Sequence, residues 1–224
     1  MKQTIRTLMP FIQQYITFLY LKSQDDGIYF VAEEPKDQTS VDYANWLKYT
    51  EMGPRVIWTP TPGVLPSRPD LPYIALNVAE QREEAQEGIY ASNGLSTVKT
   101  PTRATLTVEM FGDSTHDPVD ILEDIRRRVT MTSWLDVAFK NGIAFFDSAP
   151  VLDIAALLDG VSWEPRARLE FSIRYTAVMT EAVSTIEKAT IDGTYLLGAL
   201  EKEQCVIEID STKTLLKGGF KLGG

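Results

Sequence analysis

The chain has one histidine, and it lies among carboxylates: Asp113, His116, Asp117 and Asp120 fall within eight residues. An imidazole that titrates near neutrality, beside carboxylates, is what general acid–base catalysis requires, so chemistry is sought here first. The same residues also read as scaffold. Gly112 and Asp113 break a strand, and Asp117 before Pro118 offers an N-cap acceptor and a first helical residue with no N–H to orphan. Asp120 then falls in the first helical turn, and His116 is an exposed loop residue. This second reading accounts for every residue, so a small α+β enzyme or ligand-binding module around His116 stands only as an alternative.

Other reactive groups are sparse. Cys205 is the only cysteine, which excludes an intrachain disulfide or a thiolate cluster, and one histidine excludes a multi-histidine metal site. Glu80, Glu83, Glu84 and Glu87 lack the Asp/Asn/Gly loop chemistry of hard-cation sites and read as a solvated surface. Arg126, Arg127 and Arg128 point in three directions around a helix and oppose its C-terminal dipole. No phosphate-cradling GxxxxGK[ST] or GxGxxG is present. No catalytic, metal-binding or cofactor-binding residue is therefore assigned.

With 224 residues, 44% of them hydrophobic, the chain can bury a real core. Its formal charge of −9 argues against a protein whose main work is neutralising nucleic-acid phosphates. The first 23 residues lack both an uninterrupted spanning segment and a small-residue cleavage site, so a soluble protein of a reducing compartment is expected.

The elements that position these groups follow from periodicity. Residues 103–110 alternate, with Ala104, Leu106, Val108 and Met110 apolar, which predicts a half-buried strand. The helix starting at Pro118 carries Ile121, Leu122, Ile125 and Val129 as one stripe. Helical spacing predicts a broad amphipathic helix over 3–22, kinked or restarted at Pro10, whose second side is either buried in the fold or kept for a neighbouring subunit. A short strand over 28–32 and a helix over 41–49 are expected next. Six prolines between 54 and 72 predict an extended connection. A strand over 73–79 precedes a long polar hairpin or loop over 80–101. A short helix over 134–139 ends at Asn141-Gly142. Strict alternation over 166–177 predicts a long antiparallel strand with one wet face, paired with 183–191 as a hairpin. The fold class is α+β, a mainly antiparallel sheet with helices packed on one face. Residues 1–194 form the domain, with 23–53 insertion-like, and 195–224 a C-terminal extension holding a short strand at 205–209.

Three stretches read together carry a family resemblance: VIWTPTPGVLPSRPDLPYIALNV (56–78), RATLTVEMFGDSTHDPVDILEDIRRRV (103–129) and VLDIAALLDGVSWEPRARLEFSIRYTAVMTEAVSTIEKATIDG (151–193). In their order and spacing the chain resembles the phage neck and tail terminator proteins. The alternating strand, short turn and capped helix is that family's characteristic piece. The resemblance implies a non-enzymatic virion protein at the tail–neck junction, assembled in the host cytoplasm. Its partners would be itself as a homo-hexameric ring, the tail tube protein and a neck, connector or adaptor protein, with a tail sheath as a further candidate. A head-to-tail contact whose rotation closes gives such a ring. DNA would pass its lumen without specific binding, and net negative charge suits that passage. A head-side adaptor or another neck ring protein is the alternative within the virion. The interaction candidates are Glu83, Glu84, Glu87, Tyr90 and Asn93 on the polar excursion, with Arg126 and Arg127 on the helix.

Overall fold

A computed structural model describes residues 2–59, 69–83, 88–92, 95–113, 115–158, 162–182, 188–197 and 201–210. In chain order the elements are β1 (Lys2–Gln3), α1 (Ile5–Gln24), α2 (Val41–Met52), a 3₁₀ turn (Gly53–Arg55), β2 (Val56–Trp58), β3 (Tyr73–Glu83), β4 (Gly88–Ser92), β5 (Leu95–Phe111), α3 (Pro118–Val129), α4 (Thr132–Lys140), β6 (Ile143–Ser148), β7 (Leu152–Asp153), β8 (Ala156–Leu158), β9 (Ser162–Glu164), β10 (Arg166–Ala182), β11 (Lys188–Leu197) and β12 (Glu201–Asp210). They divide into two compact units, one of residues 1–89 and 98–179, the other of 90–97 and 180–224.

Alternation builds the first unit. Along β5, Ala104, Leu106, Val108 and Met110 are buried, and along β10 so are Ala167, Leu169, Phe171, Ile173 and Tyr175. The residues between them remain half-exposed or exposed. The main path of the sheet runs β1-β10-β5-β3-β2, with β4 on β5 and with β6 and β7 on β10. β3 lies antiparallel to β5, Ile74 opposite Met110 and Leu76 opposite Val108, so their side chains share the buried face. Side-chain contacts from Glu109 to Arg166 and Arg168, and from Arg103 to Ser172, require β5 and β10 to run antiparallel as well.

Helix α1 seals the buried face. Ile12, Tyr15, Ile16, Phe18 and Leu19 have no solvent exposure, which settles the question raised by its breadth: both sides are buried within the fold. On one side Tyr15 stacks on Phe145 at 5.3 Å between ring centroids, and its hydroxyl donates to the Trp134 carbonyl at 3.0 Å. On the other, Phe18 stacks on Tyr49 of α2 at 5.2 Å and meets Phe30 edge-on at 5.3 Å. Burial raises the Tyr15 phenol well above its ordinary range, so the hydroxyl acts as a neutral donor. Pro10 lies inside α1 without ending it. It lacks the N–H that would reach back one turn, and the buried face on either side holds the helix together past that lost bond.

Most predicted elements are present, and three differences have physical causes. Residues 28–32 are not a strand: Ile28 and Val31 are buried, but the Gln14 side-chain amide donates to the carbonyls of Val31 and Ala32 at 2.9 and 3.1 Å in place of a ladder. The proline-rich connection contains a strand, β2, at its N-terminal end, parallel to β3 with Val56 opposite Ile74. The partner expected for β10 over 183–191 is also corrected. Residues 183–187 lie outside the described residues, and β11 pairs antiparallel with β12, Lys188 opposite Asp210, in a two-stranded sheet of the second unit.

Leu106 has no exposure at the centre of the buried face, so Leu106→Ala should lower the unfolding free energy by about 2 to 5 kcal/mol, read as a reduced urea midpoint with unchanged slope. A loss below about 0.5 kcal/mol would place the core elsewhere.

Candidate functional site

The histidine cluster folds as a turn and a cap. One Asp113 carboxylate oxygen accepts from the Thr115 N–H at 2.8 Å, the Thr115 hydroxyl at 2.8 Å, the His116 N–H at 3.0 Å and His116 Nδ1 at 2.8 Å. The His116 ring and then the Thr115 groups hold the Asp113 carboxyl far below the usual carboxylate range. Asp117 caps α3 through the Val119 N–H at 2.9 Å. Gly112 fixes the turn, since a Cβ there would lie 2.4 Å from the His116 carbonyl oxygen, and its N–H donates to the Pro165 carbonyl at 2.9 Å. An open cleft of about 460 Å³ does lie nearby, lined by Asp113, Asp117, Asp153, Trp163 and Arg166 among others, but His116 is not among its lining residues. Among the described residues no three His, Cys, Asp or Glu side chains converge as metal ligands would.

The more organised surface is the face of the sheet turned away from α1. Alternation places Lys99, Arg103, Thr105, Thr107, Glu109 and Phe111 along β5 on this face, and Arg166, Arg168, Glu170, Ser172 and Arg174 beside them along β10. Glu109 joins the two strands, accepting from Arg166 and from Arg168 Nε, the latter at 2.8 Å. Burial alone would raise Glu109, but the two guanidinium hydrogen bonds outweigh it and hold the carboxyl below its ordinary value. The Arg166 guanidinium also lies 4.5 Å from the centre of the Phe111 ring, which stacks on Tyr73 at 4.3 Å. Further along, Phe146 from β6 is held between Arg174 at 4.1 Å and Arg103 at 4.8 Å. A register shift in the β10–β6 pairing at Ser172/Ile173 supplies the extra residue that turns Phe146 to this side. Such cation–aromatic contacts fix long side chains in place.

The sequence-predicted interaction residues do not come together as one site. Glu83 is exposed at the end of β3, opposite Thr102, and Tyr90 is exposed on β4. Glu84, Glu87 and Asn93 lie outside the described residues. Arg126 is committed within its own helix, with two hydrogen bonds to Glu123 at 2.8 and 3.0 Å. Arg127 is exposed, while Arg128 pairs with Asp124 and with Asp26. The triplet thus points three ways, as a helical surface requires. Sequence reasoning passed over Phe146 and Trp163, both exposed aromatics. The Trp163 signal was present, a large aromatic between an acidic turn and Pro165, whereas Phe146 depends on a bulge that no local pattern reveals.

Because Glu109 is depressed in the folded state, its contribution is present above its ordinary value near 4.5 and is lost as pH falls through the lower folded value. The stability difference between wild type and Glu109→Gln should therefore shrink as denaturation is measured from about pH 6 down to about pH 3. A difference that stays constant across that range would show that the pair contributes no pH-dependent stability.

Comparison with known proteins places the chain in a family. Residues 45–199 match the profile described as "Phage neck terminator protein", a span holding most of α2, the elements from β2 through β10, and β11. A search of curated proteins returns no match. The match covers well over half of the chain and includes the strand, turn and capped helix of residues 103–129 as well as the long strand β10, and the chain accordingly belongs to the phage neck terminator family, a structural component of the phage neck and tail.

Proposed function

We propose that the chain is the subunit of a homo-hexameric ring at the tail–neck junction, which seats on the last ring of the tail tube, ends tube growth and presents its other side to a neck or connector protein. The family match over residues 45–199 carries this reading. The physical requirement is two different surfaces on one subunit, joined head to tail through a rotation that closes. An acidic chain, −9 overall, also suits a channel through which DNA passes without adhering.

The excursion between β3 and β5 is the part offered to the tube. Tyr90 is 58% exposed and Ile89 70% exposed, large apolar groups that the core does not explain. Its backbone already pairs with the long strand β5, so it can reach out as strand and not as loose chain. Contact with a tail sheath would use the outside of the same ring.

Added to tube protein that is polymerising in solution, the chain should shorten the tubes in proportion to its concentration, measured by electron microscopy. Deleting residues 86–96 should leave a folded protein, by circular dichroism, that no longer limits length. Tubes of unchanged length with the intact chain would remove the terminator reading, and unchanged limitation by the deletion variant would clear the excursion of that role.

A further inference from the structure

We infer that the hairpin of β11 and β12 pairs edge to edge with the same hairpin of a neighbouring copy, β11 of one chain lying antiparallel to β12 of the next. This rests on the ring reading and names the surface through which the ring would close. β11 and β12 align over ten residues each, from Lys188 opposite Asp210 to Leu197 opposite Glu201. Their register runs without a shift, unlike that of β3 on β5 or β10 on β6. Among the described residues neither strand has a second neighbour in its sheet. Neither contains a proline, and prolines, bulges and short length are devices that keep a strand edge from pairing. A lone two-stranded hairpin is marginal in water and gains independent stability from further strands.

The period of two gives the hairpin two unlike faces. Around residues 188–193 and 205–210, Ala189, Ile191, Cys205, Ile207 and Ile209 fall on one face, and Lys188, Thr190, Asp192, Glu208 and Asp210 on the other, with Val206 the exception. That pattern belongs to a larger sheet with one covered face. Charge sets the occupant of the edges. Within the hairpin Lys188 stands opposite Asp210, and the next copy's β11, laid antiparallel and level against β12, brings a second Lys188 beside Glu208 and Asp210. β12 laid antiparallel against another β12 would instead set Glu208 and Asp210 across from Glu203 and Glu201, like charges that oppose pairing. The β11-to-β12 contact is heterologous and uses both edges of every copy, so a closed ring leaves no edge open. A strand from another protein would fill one edge and leave the other.

The test is thiol cross-linking in the full-length chain, in which Cys205 is the only natural cysteine. Ala189→Cys, Ile191→Cys and Tyr195→Cys, each combined with Cys205→Ser, place one thiol on β11 in the row that contains Cys205, whose partner within the hairpin is Gly193. Each is mixed with wild-type chain at tube ends and mildly oxidised, so that a mixed disulfide can form only between copies. At least one of the three should give a product at twice the 25.1 kDa chain mass. Directly opposed residues of an antiparallel ladder stand close enough for a disulfide. Thr190→Cys and Thr194→Cys in the same background lie on the other row and should give none. Rings without any such product, or equal products from both rows, would overturn this pairing and leave the ring reading intact. Wild-type chains linking Cys205 to Cys205 would overturn it in favour of two β12 strands meeting. Slowed amide exchange over 188–210 on adding tube protein, with no mixed product, would give the edges to the tube and also overturn it. A chain that stays monomeric even on tube ends would remove both readings.

Discussion

The period of two along β5 and β10 is the constraint from which the rest follows. Every second side chain must face α1, and those positions are filled by Ala104, Leu106, Val108, Leu169, Phe171 and Ile173. The intervening positions are thereby committed to the other side. There the chain places arginines, threonines and glutamates, which burial alone cannot accommodate. One face becomes the core and the other must remain wet or meet a partner.

Local signals were legible where one physical rule dominates. The strand at residues 103–110, the Asp117 cap, the helix over Pro118–Val129 and the turn at Gly142, whose φ is 77°, each follow from side-chain period or backbone chemistry within a few residues. Long-range pairing was not legible. Whether residues 28–32 form a strand depends on Gln14, which reaches their carbonyls from α1 before any neighbouring strand can. β2 is only three residues long and exists because β3 lies alongside it in register. The run of alternating residues near 190 is a strand as its pattern suggests, but pattern does not specify a partner, and β12 pairs with it instead of β10.

The histidine cluster shows how far residue type alone can mislead. One imidazole among three close carboxylates suggests proton transfer, yet the His116 ring and the Thr115 groups converge on a single Asp113 oxygen and close a turn between β5 and α3. That turn is tight enough to exclude a side chain at Gly112. The organised polar chemistry of the molecule lies on the sheet, where Glu109 links Arg166 to Arg168 and Phe146 separates Arg103 from Arg174. None of those groupings is local in sequence, which is why composition and motif reading pass over them. These surfaces belong to a structural member of the phage neck terminator family.

The central claim is a closed ring of this chain at a tube end, and electron cryo-microscopy of tail tubes incubated with the purified protein tests it most directly. The account predicts one closed ring of about six copies at a single end of each tube. Protein spread along the tube wall, or absent from both ends at saturating concentration, would contradict it.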